Sequence, residues 1–198
     1  MMEEYEIKVD GVPATFDGGA IRFKKNKGRF DLIPTDVEQR VLERLRMIIN
    51  NNENFGYGYY EVLNYLTRVH DETNERRFID LILAITFDHY AYKCLTAGDT
   101  TSEYTATDGK DDLEYQVIEN MYDRYVAMLR DLAIHFQKGA EKYGEHNCEK
   151  GIELWSFIDS GTRHTLQFLS GETDEPHYIS AIWNFWMADW TIHKIKED

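Results

Sequence analysis

The length, composition and charge of the chain exclude several classes of protein. Its 198 residues, 42% of them hydrophobic and 14% aromatic, are enough to bury the core of one domain but few for two. The 36 acidic residues outnumber the 22 lysines and arginines, and the formal net charge of -14 would repel the phosphate backbone of a nucleic acid. No run of about 18 apolar residues occurs, and Met1 to Glu6 is acidic, unlike a secretory signal. We therefore expect one cytoplasmic domain, residues 1–198, that binds neither duplex nucleic acid nor membranes.

The two cysteines give no sign of a disulfide or a metal site. Cys94 and Cys148 are far apart in the sequence and match no metal-ligand spacing. We interpret them as unpaired thiols in a reducing compartment.

The N-terminal region predicts a β-hairpin followed by a loop. Apolar and polar side chains alternate from Tyr5 to Phe16 around Asp10-Gly11, a dipeptide typical of tight hairpin turns. Pro13 falls in the second strand, which should therefore be short or lie at the edge of a sheet. The polar segment from Gly18 to Gly28 is expected to be a loop, so residues 1–34 comprise a hairpin and a Gly- and Lys-rich loop.

The remainder of the chain predicts helices. Thr35 stands three residues before Glu38, a capping box that predicts a helix from about Asp36 to Asn50. Apolar spacing and glycine-rich breaks place five more helices at about Tyr59 to Val69, Glu75 to Leu95, Asp112 to Gln137, Ser156 to Leu169 and Pro176 to Lys194. The longest of them is the fourth helix of the chain, Asp112 to Gln137, and Gly139 and Gly144 are expected to end it. The predicted fold is mainly α, a helical bundle with a short N-terminal β-hairpin.

The segment between the fourth and fifth helices has the composition of a phosphate-binding loop. Lys138, Lys142 and Lys150 and three glycines are concentrated between residues 138 and 151 of an otherwise acidic chain. Local positive charge and a bendable backbone suit a phosphate-bearing ligand. The alternative, which composition alone favours, is a helix end and a solvated loop in which the glycines act as caps.

The fifth helix carries a carboxylate beside two basic side chains. Asp159 and Arg163 are four residues apart and share a helix face, and His164 adjoins Arg163. Such a group can hold a divalent metal or orient a water while the guanidinium neutralises a phosphoryl oxygen. The alternative is an ordinary salt bridge within the helix, which is the more frequent meaning of this spacing.

A third polar group surrounds the start of the sixth helix. Glu172, Asp174 and His177 lie close together in the sequence, and His177 and Asn184 follow one side of the helix among large apolar residues. Polar side chains that are buried there must find partners or a ligand. The alternatives are a helix cap for Asp174 and a satisfied hydrogen-bond network in the core for His177 and Asn184.

Together, these motifs match a family pattern in their order along the chain. They are Gly18-Gly-Ala20, Lys27-Gly-Arg-Phe-Asp-Leu-Ile-Pro34, Gly139-Ala-Glu-Lys-Tyr-Gly144, Asn147-Cys-Glu-Lys-Gly151, Asp159 with Arg163-His164, Gly171-Glu172 with Asp174, and His177 with Ala181 and Trp183-Asn184. Over residues 17–34 and 136–190 the sequence thereby resembles the phage-associated family of dATP/dGTP diphosphohydrolase domains. Residues 51–130 are interpreted as a helical insertion, and residues 136–195 as the helical core that carries the motifs.

The resemblance implies an activity, a cofactor and a set of site residues. The expected reaction is hydrolysis of purine (deoxy)nucleoside triphosphates to monophosphate and pyrophosphate, with Mg²⁺ or Mn²⁺ screening the triphosphate. It would take place in the cytoplasm, that of the host if the protein is phage-encoded. The implied catalytic residues are Glu141, Asp159, His164 and His177. The implied metal ligands are Glu141, Asp159, Asp174 and His177. The implied nucleotide contacts are Arg29, Lys138, Lys142, Tyr143, Asn147, Lys150, Arg163, Trp183 and Asn184.

Two other functions remain open from the sequence. The paired Glu-x-x-Glu and Glu-x-x-Asp helices by which all-α pyrophosphohydrolases hold metal have no clear counterpart in the matching region. This favours a phage protein that binds a nucleotide without hydrolysing it, for instance to sequester a host signal. Alternatively, the polar motifs cap and bridge helices in a partner-binding protein. Tyr57, Tyr59, Tyr60 and Tyr65 would then suit the interface of a homo-oligomer, or equally a lid over the pocket.

Overall fold

The described part of the chain is built almost entirely from helices. The computed structural model describes residues 13–15, 21–23, 28–51, 59–69, 77–96 and 110–197. Six helices occur in these ranges: α1 (Thr35–Asn50), α2 (Tyr59–Thr67), α3 (Arg77–Thr96), α4 (Lys110–Tyr143), α5 (Leu154–Leu169) and α6 (His177–Glu197). The prediction of a mainly α protein is confirmed, and each predicted helix except the fourth ends within three residues of an observed one.

The predicted N-terminal hairpin is not supported. Two three-residue strands, β1 (Pro13–Thr15) and β2 (Ile21–Phe23), pair antiparallel with Ala14 opposite Arg22. The predicted turn at Asp10-Gly11 and the strand before it lie outside the described residues. β2 lies in the segment from Gly18 to Gly28, for which the sequence predicts a loop. The strand was missed because three alternating residues, Ile, Arg and Phe, are too few to be recognised among glycines and lysines.

The apolar face of α1 forms as predicted, but its capping box does not. Val37, Val41, Leu45 and Ile48 are buried at helical spacing. Thr35 is already helical, so Pro34 occupies the N-cap position and no side chain caps the helix. Asp36 in the first turn favours the helix N-terminus through its charge instead.

The fourth helix is longer than predicted. It passes through Gly139 and ends at Tyr143, and the N–H of Gly144 donates to the carbonyl of Ala140 at 2.9 Å. Gly144 has a φ of 89°, the left-handed conformation that commonly follows a helix. The prediction that Gly139 ends the helix is wrong because the residues after it, Ala, Glu and Lys, are strong helix formers.

The sixth helix is the centre of the bundle. It contacts α1, α3, α4 and α5. Phe185, Trp186, Met187 and Ala188 are completely buried, and because four consecutive residues point to all sides of a helix, this is the pattern of a helix enclosed by others. Among the described helices, none combines the length and the apolar composition that crossing a membrane requires.

Polar side chains join the helices at defined points. Arg40 of α1 binds the buried Asp189 of α6, with Nε at 2.7 Å from Oδ2. Arg44, one turn later, binds Asp80 of α3 at 2.7 Å. The hydroxyl of Tyr178 on α6 donates to Asp131 on α4.

Candidate functional site

The loop that precedes α1 is fixed against the end of α4. The N–H of Gly28 donates to Gln137 Oε1 at 3.1 Å, and the N–H of Arg29 donates to the carbonyl of Ala133 at 2.9 Å. Gly28 has a φ of 80°, and a Cβ there would lie 2.7 Å from the Cβ of Ala133. The close approach therefore requires glycine, and it brings Leu32 to the wall of a cavity formed mainly by α4, the segment after it and α6.

This cavity is predominantly apolar and aromatic. Its volume is about 370 Å³, within the range of small-molecule sites. Tyr143 and Trp183 provide large aromatic surfaces in its wall. Polar groups from the segment after α4 complete the lining: His146, Asn147, Cys148 and Glu149. Cys148 is a free thiol, and burial raises its pKa to about 11, so it is protonated at neutral pH.

The indole of Trp183 is held in place by neighbouring rings. Its centroid lies 5.6 Å from that of His135, 6.1 Å from that of Phe136 and 5.8 Å from that of Phe157. The two phenylalanines meet it edge to face, an arrangement that aromatic pairs favour. Burial, aided by the charges of Lys138 and His164, lowers the pKa of His135 to about 4, so its ring is neutral at physiological pH.

A second group of functional side chains lies where α5, the following turn and the start of α6 meet. We name it the histidine–carboxylate cluster and define it as His164, Glu172, Asp174, Glu175 and His177. His164 and His177 are buried, whereas the three carboxylates are exposed. Nδ1 of His164 lies 3.0 Å from Nδ1 of His177. Oε1 of Glu175 lies 3.4 Å from the former and 3.5 Å from the latter.

The hydrogen bonds of the cluster assign one consistent pattern of protons. Nε2 of His177 lies 2.7 Å from Asp174 Oδ1 and must donate, because a carboxylate only accepts. Its Nδ1 then accepts from Nδ1–H of His164, and Nε2 of His164 accepts from Arg163 Nη2 at 3.3 Å. Burial, together with the charge of Arg163, lowers the pKa of His164, which favours this neutral form. The hydrogen bond from His177 lowers the pKa of Asp174.

The side chains of the cluster fit a divalent cation. Two overlapping groups of three residues bring one donor atom from each residue within 4.8 Å of the others: His164, Glu175 and His177, and Glu172, Asp174 and His177. Neutral imidazole nitrogens and carboxylate oxygens are the donors that proteins use for such ions.

Several residues that the sequence indicates for the site come together. His164, His177, Asp174 and Arg163 belong to the cluster or contact it. Tyr143, Asn147 and Trp183 line the cavity. His135 connects the two regions, because it lines the cavity and lies close enough to His164 and Glu175 for their charges to shift its pKa.

The other acidic candidates lie outside the cluster. Glu141 is exposed at the end of α4 and accepts a hydrogen bond from Gln137 at 2.9 Å. Asp159 is exposed on α5, and within the described residues it forms no ion pair with Arg163, which instead bonds to Ser160 and Gln167. The salt bridge that the spacing permits is therefore not formed.

Of the other candidate contacts, two are already engaged. The guanidinium of Arg29 binds Asp31 and Glu145 at 2.7 and 2.6 Å, so a phosphate would have to displace these carboxylates. Asn184 is buried and donates to the carbonyl of Ser180 at 2.8 Å, so one of its N–H groups is engaged within its own helix. The three lysines are exposed: Lys138, Lys142 and Lys150.

Sequence reasoning missed two residues of this region. Glu175 lies between Asp174 and Pro176, where an acidic residue is typical of a helix start. The sequence pattern therefore does not distinguish it from the acidic residues around it as a site residue. His135 lies on the cavity side of α4, before the motif that begins at Gly139. Its only signal is the presence of a titratable residue beside the apolar stripe of a long helix.

Comparison with known proteins finds one family match in the C-terminal part of the chain. Residues 102–198 match the family model described as dATP/dGTP diphosphohydrolase, N-terminal. No curated protein and no solved structure gives a significant match. The match includes both walls of the cavity that α4 and α6 contribute, and the entire histidine–carboxylate cluster. The resemblance that the motifs indicate is therefore confirmed for the C-terminal part of the chain: residues 102–198 match the dATP/dGTP diphosphohydrolase, N-terminal family.

Proposed function

We propose that the protein is a metal-dependent nucleotide pyrophosphohydrolase that converts purine deoxynucleoside triphosphates to monophosphate and pyrophosphate. The observation that carries the proposal is the position of an aromatic cavity beside a cluster of side chains suited to a divalent cation, with His135 between them. A nucleoside triphosphate has the same two parts, a flat aromatic base and a highly charged phosphate chain.

The cavity suits the base. Tyr143 and Trp183 offer aromatic faces on which a purine can stack, a contact worth about 1–3 kcal/mol per base. Asn147 supplies an amide that can both donate to and accept from the edge of the base. His135, neutral because of its burial, can do the same without adding charge to an apolar site.

The cluster suits the phosphates. A divalent cation held there would screen the triphosphate and favour attack of water on the α-phosphoryl group. Arg163, which is exposed next to His164, can neutralise a phosphoryl oxygen by a paired hydrogen bond. Glu172 is an exposed carboxylate of the same cluster and can accept a proton from the attacking water. Glu141 and Asp159 remain proposed contributors from outside the cluster.

Product analysis across a panel of nucleotides tests the proposal. The purified chain is incubated with each common dNTP and NTP in the presence of Mg²⁺ or Mn²⁺, and the products are separated by chromatography. We expect monophosphate and pyrophosphate from dATP or dGTP. His177→Ala should abolish turnover, because it removes the side chain shared by both candidate metal groups. Asp159→Asn is the matched variant on α5 outside the cluster, and it shows whether that carboxylate also contributes.

A second candidate function is nucleotide binding without hydrolysis. The positions of Glu141 and Asp159 favour it, since neither carboxylate reaches the cluster where the phosphates are expected. In that case a purine nucleotide binds tightly and is recovered unchanged after long incubation with Mg²⁺ or Mn²⁺. Rapid release of pyrophosphate would exclude this candidate.

A further inference from the structure

We propose that the histidine–carboxylate cluster is a transition-metal site in which His164, His177 and Glu175 are the ligands and Asp174 orients His177. The site would prefer ions such as Zn²⁺, Mn²⁺ or Co²⁺ to Mg²⁺. The catalytic use of the ion rests on the proposed function, whereas its binding does not.

The first argument is the spacing of the donor atoms. The two Nδ1 atoms and Glu175 Oε1 form a triangle with sides of 3.0, 3.4 and 3.5 Å. Two donors bound about 2.1 Å from one ion stand about 3.0 Å apart at right angles and about 3.4 Å apart at tetrahedral angles. The three atoms therefore already have the separations of ligands that share one ion.

The second argument is the role of Asp174. Its carboxylate accepts a hydrogen bond from Nε2 of His177 at 2.7 Å, which fixes the hydrogen on that nitrogen. The lone pair of His177 is then on Nδ1, the atom that faces His164 and Glu175. A carboxylate that orients a metal-binding histidine in this way is a recurrent feature of metal sites. Asp174 thus supports a ligand and is not itself one.

The third argument is burial. The side chains of His177 and His164 are 1% and 10% exposed, and they are held by two helices that pack against each other. Glu175, at 48% exposed, can adjust to complete the site from the solvent side. To bind an ion, His164 has only to move its hydrogen from Nδ1 to Nε2, and Arg163, which is exposed, can leave Nε2 to allow this.

The donor set determines the kind of ion. Two imidazole nitrogens and one carboxylate are typical of zinc and of other first-row transition metals. Mg²⁺ prefers oxygen ligands in a nearly ideal octahedron and would be better served by the competing group of Glu172, Asp174 and His177. The two groups share His177 but differ in their glutamate, and this difference allows a matched test.

Metal titration of the chelator-treated protein tests the proposal without any nucleotide. Zn²⁺ and Mg²⁺ binding are measured by calorimetry, and Co²⁺ binding by the visible d–d absorption of the ion, which intensifies when protein ligands replace the octahedral water shell. We expect one Zn²⁺ or Co²⁺ per chain and much weaker binding of Mg²⁺. Glu175→Gln should weaken Zn²⁺ binding by about 10-fold or more, whereas Glu172→Gln should change it by less than about 3-fold. Both positions are on the surface, and thermal unfolding confirms that the variants fold.

Two results would overturn the proposal. One is failure of the folded wild-type protein to bind Zn²⁺ or Co²⁺. The other is a loss of affinity in Glu172→Gln that equals or exceeds the loss in Glu175→Gln, which would assign the ion to the other group. Neither result depends on turnover, so metal binding and the proposed function can fail separately.

Discussion

At the scale of single residues, His135 shows how burial determines the protonation of a cavity side chain. Its pKa is lowered to about 4, first by burial and then by the charges of Lys138 and His164. In the unfolded chain the pKa returns to about 6.5. Between these two values the unfolded state binds a proton that the folded state excludes. The neutral ring therefore favours folding fully above pH 6.5, and this contribution is lost as the pH falls towards 4.

His135→Gln should remove this part of the pH dependence. Between pH 7.5 and pH 5 the wild-type protein should lose about 2 kcal/mol more unfolding free energy than the variant. Urea unfolding at both pH values measures the difference. Parallel loss of stability in the two proteins would show that His135 is not the group that titrates.

Residue identities in the site were only partly predictable. His164, Asp174, His177 and Trp183 stand out because polar or aromatic residues occur at motif positions. Glu175 does not, because membership of the cluster depends on how the turn before α6 bends its side chain towards two buried imidazoles. Periodicity describes one helix at a time and contains no information about such a turn.

At the scale of helices, α5 and α6 approach closely at a glycine. A Cβ at Gly161 would lie 2.8 Å from the ring of the buried Phe185, whereas a Cβ at Gly139 of α4 would meet nothing within 4 Å. Both glycines are inside helices, where alanine is ordinarily the more stable residue by about 1 kcal/mol. The two positions thus separate helix propensity from packing.

The same substitution should therefore have opposite effects at these positions. Gly161→Ala should lower the unfolding free energy by about 1–3 kcal/mol, because a large ring enclosed in the core has to move. Gly139→Ala should raise it by up to about 1 kcal/mol. Equal changes in the two variants, measured by chemical denaturation, would contradict the close packing of α5 on α6.

The contact between α1 and α6 depends on a buried charge. Asp189 is fully buried, and one of its oxygens is bound by Arg40 at 2.7 Å, while its other oxygen has no protein partner among the described residues. Burial raises the pKa of Asp189, and the charge of Arg40 acts in the opposite direction. The carboxylate is therefore tolerated in the core because Arg40 compensates part of the cost of removing it from water.

Removing the arginine should destabilise the bundle. Arg40→Met should lower the unfolding free energy by about 2–3 kcal/mol, somewhat less than for a fully buried pair because Arg40 is partly exposed. Arg130→Met, at an exposed position of α4, is the control and should change it by less than about 0.5 kcal/mol. Similar stability of both variants in thermal and urea unfolding would show that Asp189 does not depend on its partner.

Helix positions were more predictable than helix ends. The apolar stripe of α1 was apparent from spacing alone, because burial of one face imposes a period close to four. The start of α1 and the end of α4 were not apparent from the sequence, because Thr35 and Gly139 are each compatible with both a cap and a helix interior. The surrounding packing decides between them.

At the scale of the whole molecule, the sequence identified the fold class and the family but not the cavity. The cavity forms where Leu32, which precedes α1, lies near α4 and Trp183 of α6. Leu32 and Trp183 are more than 100 positions apart in the sequence. Residues 17–34 lie outside the family match, which begins at residue 102. The homo-oligomer suggested by the tyrosines stays a prediction, although Tyr59 and Tyr60 are 49% and 84% exposed.

The net charge of -14 bears on function at this scale. A protein of this charge repels a triphosphate, so local cations must compensate where the nucleotide binds. In the proposed site, Arg163 and a bound divalent ion fulfil this role beside the histidine–carboxylate cluster. Chelation of the ion should therefore abolish both nucleotide binding and turnover.

Hydrolysis of dATP and dGTP in heavy-oxygen water, followed by mass spectrometry of the products, tests the central claim most directly. Attack of water on the α-phosphoryl group would place the label in the nucleoside monophosphate and leave pyrophosphate unlabelled, and this is the expected result with Mn²⁺ or Mg²⁺ present. Unchanged nucleotide, or orthophosphate with a nucleoside diphosphate, would contradict the proposed pyrophosphohydrolase activity.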